Sequence, residues 1–381
     1  MDLSRRAMIS GGAAGIGAWA LAPSTASASP IRIRRRLVDA ASAEAIEAHA
    51  CPGIQIAIAV AGDVTLSRAY GMANIETGTA MSGRSVFRIA SLTKQFTAAA
   101  IIKLAADGRV DLNGPVARYL PFMERLQATS VLELMHHTAG LHSDESGVPA
   151  HAGAAATQVA LAEEIAAQTQ PFDFPPGTAW LYSNANYIVL GAVIEAVTNT
   201  PFAEAMSELI CAPLGLASTG VDHTGDVVAR RVNGYTASEA GSFENAALLE
   251  ISDAGGAGSM RSTAADLCRW HAGLLGNQLF GPGEVALMMA PGRLRDGRVS
   301  GANRFSPDDA SYGDVQYACG LLVSPASEPH PSILHYGYID GFACVLQTFL
   351  GPQVTMAVLC NSDVGPATPF RAIRRIVTAA L

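Results

Sequence analysis

The sequence predicts an α+β fold in which one antiparallel sheet, assembled from both chain ends, carries a mostly helical insertion. Three observations predict it. A hairpin signal lies near residue 60, two apolar strands lie near the C-terminus, and helical periodicity with Pro/Gly punctuation fills most of the middle.

Residues 37–50 read as a helix with polar positions at Asp39, Ser42, Glu44 and Glu47. Residues 54–60, the Gly62-Asp63 turn and residues 64–70 make the hairpin. Residues 91–106 are helical and stop at Gly108, where a glycine suits the C-terminal cap. From residue 112 to about 255 the pattern is mostly helical, clearest at 159–168, 187–198 and 201–210, with a further helix at 264–275. Residues 292–314 are polar and Gly-rich without periodicity, which reads as a surface excursion. Strands return at 318–323, 341–349 and 354–360, the last two joined across Gly351-Pro352, and 368–381 closes with an amphipathic helix. The expected division is a sheet subdomain over about 37–111 and 315–381 and a helical subdomain over about 112–314, both within one domain over 29–381.

Composition narrows the function. With 49% hydrophobic and 15% charged residues the chain is not a disordered one. A net charge of −8 repels phosphate, so nucleic acid is not an expected partner. Only two of the 25 basic residues are lysines, Lys94 and Lys103. Each is worth a question.

The first residues carry a leader pattern. Ser4-Arg5-Arg6 precedes a Gly/Ala-rich apolar stretch, and Ala26-Ser27-Ala28 gives the small-x-small site that signal peptidase accepts. The pair of arginines resembles a twin-arginine export signal, so residues 1–28 read as a signal peptide and the mature chain as exported, to the periplasm. No other run approaches the ~18 apolar residues of a membrane helix, so no stable span is expected. The six cysteines (51, 211, 268, 319, 344, 360) are scattered and form no C-x-x-C pair. A protein exported after folding in a reducing compartment has no need of bridges, which favours buried thiols.

Three motifs carry chemistry. Ser91-Leu92-Thr93-Lys94 puts a hydroxyl and an amine one helical turn apart on one face. An amine kept neutral by burial can take the serine proton, and a helix N-terminus directs free N–H groups at developing negative charge. The flanking helix is largely apolar (Phe96, Ala98, Ala99, Ala100, Ile101, Ile102), which would depress the amine pKa. Tyr182-Ser183-Asn184 offers a phenol and a carboxamide in a loop ahead of a helix. His335-Tyr336-Gly337, beside Asp340-Gly341-Phe342 at a strand start, offers an imidazole and a glycine that would let a substrate lie along the strand edge. His136 and His137, about 100° apart on a helix, cannot easily chelate one metal and read as structural. The glycine run 255–258 lacks a phosphate-loop ending and reads as backbone packing near the site.

In this order and spacing the three motifs resemble the serine β-lactamase/penicillin-binding superfamily. The branch is that of class C β-lactamases, D-alanyl-D-alanine carboxypeptidases and β-lactamase-like esterases. Leu134-Met135-His136-His137-Thr138-Ala139-Gly140-Leu141, Pro176-Gly177-Thr178, Pro213-Leu214-Gly215-Leu216 and Gly256-Ala257-Gly258-Ser259-Met260 extend the likeness over about 37–381. The resemblance implies a sheet flanked by helices, with the active site in a cleft beside the helical insertion. It further implies Ser91 as the acylated nucleophile, with Lys94 and Tyr182 moving its proton. The backbone N–H groups of Ser91 and Tyr338 would form an oxyanion hole, and Asn184, His335 and Gly337 would contact substrate. Neither a metal nor an organic cofactor is implied.

One departure matters. Class C β-lactamases carry Lys-Thr-Gly at the third motif, where this chain has His335-Tyr336-Gly337. A histidine is cationic only below about pH 6.5 unless its pKa is raised, so carboxylate recognition at pH 7 should weaken. The expected function is a D-alanyl-D-alanine carboxypeptidase-like peptidase, nearly level with a β-lactamase-like carboxylesterase. A class C-like β-lactamase and a catalytically silent penicillin-binding protein follow. The expected substrate is a small molecule or peptide with an amide or ester bond.

Overall fold

The computed structural model describes residues 31–126, 128–142, 156–238, 242–306, 315–363 and 367–381; the leader reading over 1–28 and part of the polar excursion lie outside them. Residues 31–381 form one unit. The chain begins with α1 (Arg35–Glu47), then the hairpin β1 (Gly53–Val60) and β2 (Asp63–Asn74), and the short strands β3 (Thr79–Ala80) and β4 (Phe87–Arg88). After a 3₁₀ turn over Ala90–Leu92 comes α2 (Thr93–Ala106). The middle holds α3 (Val131–Met135), α4 (Gln158–Ala167), α5 (Asn184–Thr198), α6 (Phe202–Met206), β5 (Gly220–Val221), β6 (Tyr235–Ala237), β7 (Phe243–Asn245), α7 (Gly255–Gly258), β8 (Met260–Ser262), α8 (Ala264–Leu275) and α9 (Pro282–Met289). The end returns to strand with β9 (Gln316–Tyr317), β10 (Leu322–Val323), β11 (Ser332–Ile339), β12 (Phe342–Phe349) and β13 (Val354–Cys360), then α10 (Ala367–Thr378).

The main sheet has the order β3-β2-β1-β13-β12-β11-β10-β9. β1 lies antiparallel beside β13, so the two ends of the chain meet at its centre, as expected from the sequence. Side chains alternate across the sheet. Ile54, Ile56 and Ile58 join Val345, Met356 and Val358 in a core under α1 and α10. Ala57, Ala59, Leu346 and Leu359 face the larger core, which α2, α5 and α8 share. The sheet is therefore a middle layer between helices.

The structure corrects several expected boundaries. α5 starts at Asn184 and not at 187, so Tyr182-Ser183 is the approach to that helix. Of the strand expected over 318–323 only β10 forms; β9 lies ahead of it, and the turn between them holds Gly320 at a φ of 70°, where a Cβ would stand 2.6 Å from the Lys94 carbonyl oxygen. β11 was not expected as a strand. Its run Leu334-His335-Tyr336-Gly337-Tyr338 mixes polar, aromatic and glycine positions, and pairing with β12 supplies what local pattern does not. All six cysteines are buried free thiols.

A second, three-stranded sheet, β4-β8-β5, holds the segment ahead of Ser91. Its anchor is Asp222, wholly buried and paired with Arg88 at 3.1 Å, Arg231 at 2.6 Å and Arg261 at 3.3 Å. β11 presses on the same segment from the other side. A Cβ at Gly337 would stand 2.3 Å from the Ile89 carbonyl oxygen, a contact backbone cannot accommodate. The glycine thus makes room for the protein's own chain. Gly337→Ala is expected to destabilise by about 1–3 kcal/mol through overpacking and to slow acylation by displacing Ile89; urea unfolding and labelling rates check both.

Candidate active site

Ser91 sits half-buried in the 3₁₀ turn at the head of α2. Ala90 before it is held at a φ of 47°, a strained setting for a residue with a Cβ. The turn is tied down on every side. Leu92 N–H donates to the Ile89 carbonyl at 3.1 Å, Met260 N–H to Thr93 Oγ1 at 3.1 Å, and Thr97 Oγ1 to the Gly256 carbonyl at 2.7 Å.

Lys94, on α2, is wholly buried. Its Nζ lies 2.8 Å from Asn184 Oδ1, 2.9 Å from the Ala257 carbonyl oxygen and 3.1 Å from Ser91 Oγ. Burial holds its pKa well below the usual lysine value. A neutral amine has two N–H bonds and one lone pair. The two carbonyl oxygens can only accept, so they take the N–H bonds. The lone pair is left for the Ser91 hydroxyl. That is the geometry of a base aimed at a nucleophile.

The sequence did not single out Ala257, because a backbone carbonyl leaves no mark in a side-chain motif. The glycine run around it was expected to pack near the site, and it does. Gly256 is so close to α5 that a Cβ there would meet the Tyr187 carbonyl at 2.4 Å.

Tyr182 lies half-buried beside this group, with Lys94 Nζ 4.8 Å from the centre of its ring. His137 backs the ring at 4.5 Å between centroids. His137 Nδ1 accepts from Ser183 N–H at 3.2 Å and Asn186 Nδ2 at 3.0 Å, so it fixes the approach to α5. His136 lies at the end of α3 with Nε2 3.4 Å from Cys319 Sγ. Both histidines are packed groups, and burial lowers the pKa of each. Asn184, exposed at the start of α5, spends its carbonyl on Lys94 and keeps its amide nitrogen available.

His335 is the largest surprise. Its imidazole is 3% exposed, with Nδ1 2.6 Å from the Tyr336 carbonyl oxygen and Nε2 3.1 Å from the Tyr317 hydroxyl. Burial, with Lys94 adding, pushes its pKa down to about 3. Burial thus works against a charged ring, the direction in which carboxylate recognition weakens. Tyr317, on β9, was missed because it falls between the polar excursion over 292–314 and the strand expected from 318. β10 pairs with β11 at Ile333 and Leu334, so among the described residues no strand pairs with β11 on that edge from His335 onward. Tyr338 lies there, opposite Ala343 of β12 and half-exposed.

The buried amine has a measurable consequence. The unfolded chain keeps a lysine protonated up to about pH 10.4, whereas folded Lys94 loses its proton well below that. Between the two values the unfolded state binds one more proton, so stability rises with pH there. Relative to Lys94→Met, the native protein is expected to gain up to about 1.4 kcal/mol per pH unit between the lowered folded value and pH 10. Urea titrations at several pH values read the slope.

Known proteins are similar to this chain in sequence or in fold. Esterase EstB of Burkholderia gladioli is 32% identical over 201 residues, 48% of this chain and 50% of the esterase, so the match spans about half of that relative. Penicillin-binding protein 4* of Bacillus subtilis (strain 168) is 24% identical over 332 residues, 83% of this chain and 69% of the relative. Among solved structures, D-amino acid amidase from Ochrobactrum anthropi SV3 superposes with a TM-score of 0.75 at 22% identity, covering 91% of this chain and 99% of the other. A D-stereospecific amidohydrolase from Streptomyces sp. gives 0.70 at 26% identity, covering 87% and 97%. The family model described as Beta-lactamase matches residues 35–381, and the chain belongs to that family.

Proposed function

We propose that the chain is an exported serine hydrolase that opens an ester or amide bond through an acyl-enzyme on Ser91. The carrying observation is the Lys94 amine, wholly buried and set 3.1 Å from Ser91 Oγ, with its other two partners both carbonyl oxygens. Ser91 Oγ attacks the substrate carbonyl carbon as its proton passes to Lys94. The resulting oxyanion is held by the backbone N–H groups of Ser91 and Tyr338. Collapse breaks the C–O or C–N bond, and Tyr182 passes the proton to the departing alcohol or amine. Water then repeats the attack on the acyl carbon, releasing the acid and restoring Ser91.

The half-buried Ser91, and β11 packed against the turn that carries it, support this reading. The relatives, an esterase and two amide hydrolases, support an ester or amide substrate. The peptidase and carboxylesterase readings both fall within it. The leader pattern supports export, and no helix among the described residues is long and apolar enough to cross a membrane.

Ser91→Ala is expected to abolish labelling by a fluorophosphonate or a fluorescent penicillin. Lys94→Arg, which keeps a charge but supplies no neutral amine, is expected to slow labelling by on the order of 10²–10⁴-fold, the usual range for a lost general base. Unchanged labelling in either variant contradicts the scheme. Nitrophenyl esters, D-amino acid amides, a D-alanyl-D-alanine peptide and nitrocefin form the substrate panel.

A further inference from the structure

Away from Ser91, a cavity of about 260 Å³ lies between the β2–β3 hairpin end, the loop leading to β4 and residues 230–233. β2 stands four places from β11 in the main sheet, about 19 Å at the usual ~4.8 Å strand spacing. The cavity is therefore separate from the catalytic group. One water takes about 30 Å³ of liquid volume, so there is room here for a small organic molecule.

The polar groups still available on its walls are donors. Arg230 Nε donates to the Arg84 carbonyl at 3.2 Å, and its two terminal nitrogens have no partner among the described residues. Arg231 places its terminal nitrogens on Asp222 and on backbone carbonyls, while its Nε is buried without an acceptor. Asn74 Oδ1 accepts from the Thr77 N–H at 2.7 Å, which fixes the amide orientation and leaves Nδ2 as a donor. The Ser82 and Ser85 hydroxyls lie 3.2 Å apart, and each already accepts from a backbone N–H. One hydroxyl proton serves the contact between them, and the other is left over.

The positive charge of Arg230 is not matched locally. Among the described residues that line the cavity none is acidic. Of the carboxylates near them in sequence, Asp222 is taken up by three arginines, and Glu76 accepts from the Tyr235 hydroxyl at 2.6 Å. An unmatched guanidinium among spare N–H and O–H donors is the complement of an oxyanion, which can only accept.

We propose that this cavity is a second binding site, which takes a small oxyanion (a carboxylate or phosphate group) on the Arg230 guanidinium, with Asn74 Nδ2 and a serine hydroxyl beside it. Two further observations support the site. Arg230 holds a φ of 63°, a strained setting for a residue with a Cβ, of the kind found at ligand sites. Its carbonyl accepts from the Val86 N–H at 2.9 Å, and the Val86 carbonyl accepts from the Val232 N–H at 3.1 Å, so the cation is carried on fixed backbone. A site ordered in advance loses less entropy on binding.

The test uses the full chain with inorganic phosphate and malonate as probes, against chloride at equal ionic strength, because an exposed arginine is screened by salt. Binding is read by calorimetry and by the NMR signals of the arginine ¹⁵Nε–H groups. The expected result is saturable binding of one anion per chain, with a matching shift of the Arg230 signal, which its loss in Arg230→Gln assigns. Arg230→Gln is expected to weaken binding by about tenfold or more, the worth of one charge-assisted hydrogen bond. Arg230→Lys, which keeps the charge but not the planar fork, is expected to fall between the two. Ser91→Ala is expected to bind as the wild type does. The tighter of the two probes tells a phosphate ligand from a carboxylate one. Absence of saturable binding by both probes overturns the inference, as does an affinity unmoved by Arg230→Gln. Binding lost in Ser91→Ala places the anion in the catalytic cleft and also overturns it. The site does not depend on the acyl-enzyme reading, so failure of either leaves the other standing.

Discussion

A lysine buried at the first turn of a helix must find acceptors for its N–H bonds and lose its third proton, or pay heavily for desolvation. Lys94 meets the condition with two carbonyl oxygens, one from Asn184 of α5 and one from Ala257 of α7. Both belong to the middle of the chain, while Lys94 and Ser91 belong to its first third. On the proposed mechanism the amine is a competent base only when α5 and α7 are docked on α2. Burial of the apolar face of α2 against α5, and of Gly256 against the α5 backbone, secures that docking. Folding and chemistry meet at one nitrogen atom.

The sheet supplies the other half of the arrangement. β1 pairs with β13, and β12 and β11 follow outward from it, so a strand from the last fifty residues reaches the turn that carries Ser91. Gly337 lets β11 come within backbone contact of Ile89, and the β4-β8-β5 sheet with Asp222 grips the same segment from behind. Held from two sides, Ala90 keeps a backbone setting that costs about 1–3 kcal/mol on its own. Removing either grip would let the nucleophile relax away from Lys94.

Much of this was legible in the sequence. The central hairpin, α8 and β13 stood out because their apolar residues repeat cleanly, and Ser91, Lys94 and Tyr182 stood out because chemistry requires those side chains at those spacings. β11 was hidden by its glycine and polar positions, since its partner β12 and not its own pattern makes it a strand. Ala257 was hidden because a carbonyl acceptor has no residue type. Tyr317 was hidden because only tertiary contact brings β9 to His335, 18 residues further on. The charge of His335 could not be read at all. An isolated histidine titrates near 6.5, and only the depth of its burial, at 3% exposure, moves it down.

The central physical claim is that Lys94 is a neutral amine when the enzyme works. Because the chain has only two lysines, ¹³Cε-lysine labelling yields two NMR signals, and Lys103→Arg assigns them. The expected result is a Lys94 signal with the chemical shift of an uncharged amine at pH 7.5, moving to the ammonium position only in a more acidic range. A Lys94 signal that remains that of an ammonium up to pH 10 would contradict the base assigned to Ser91.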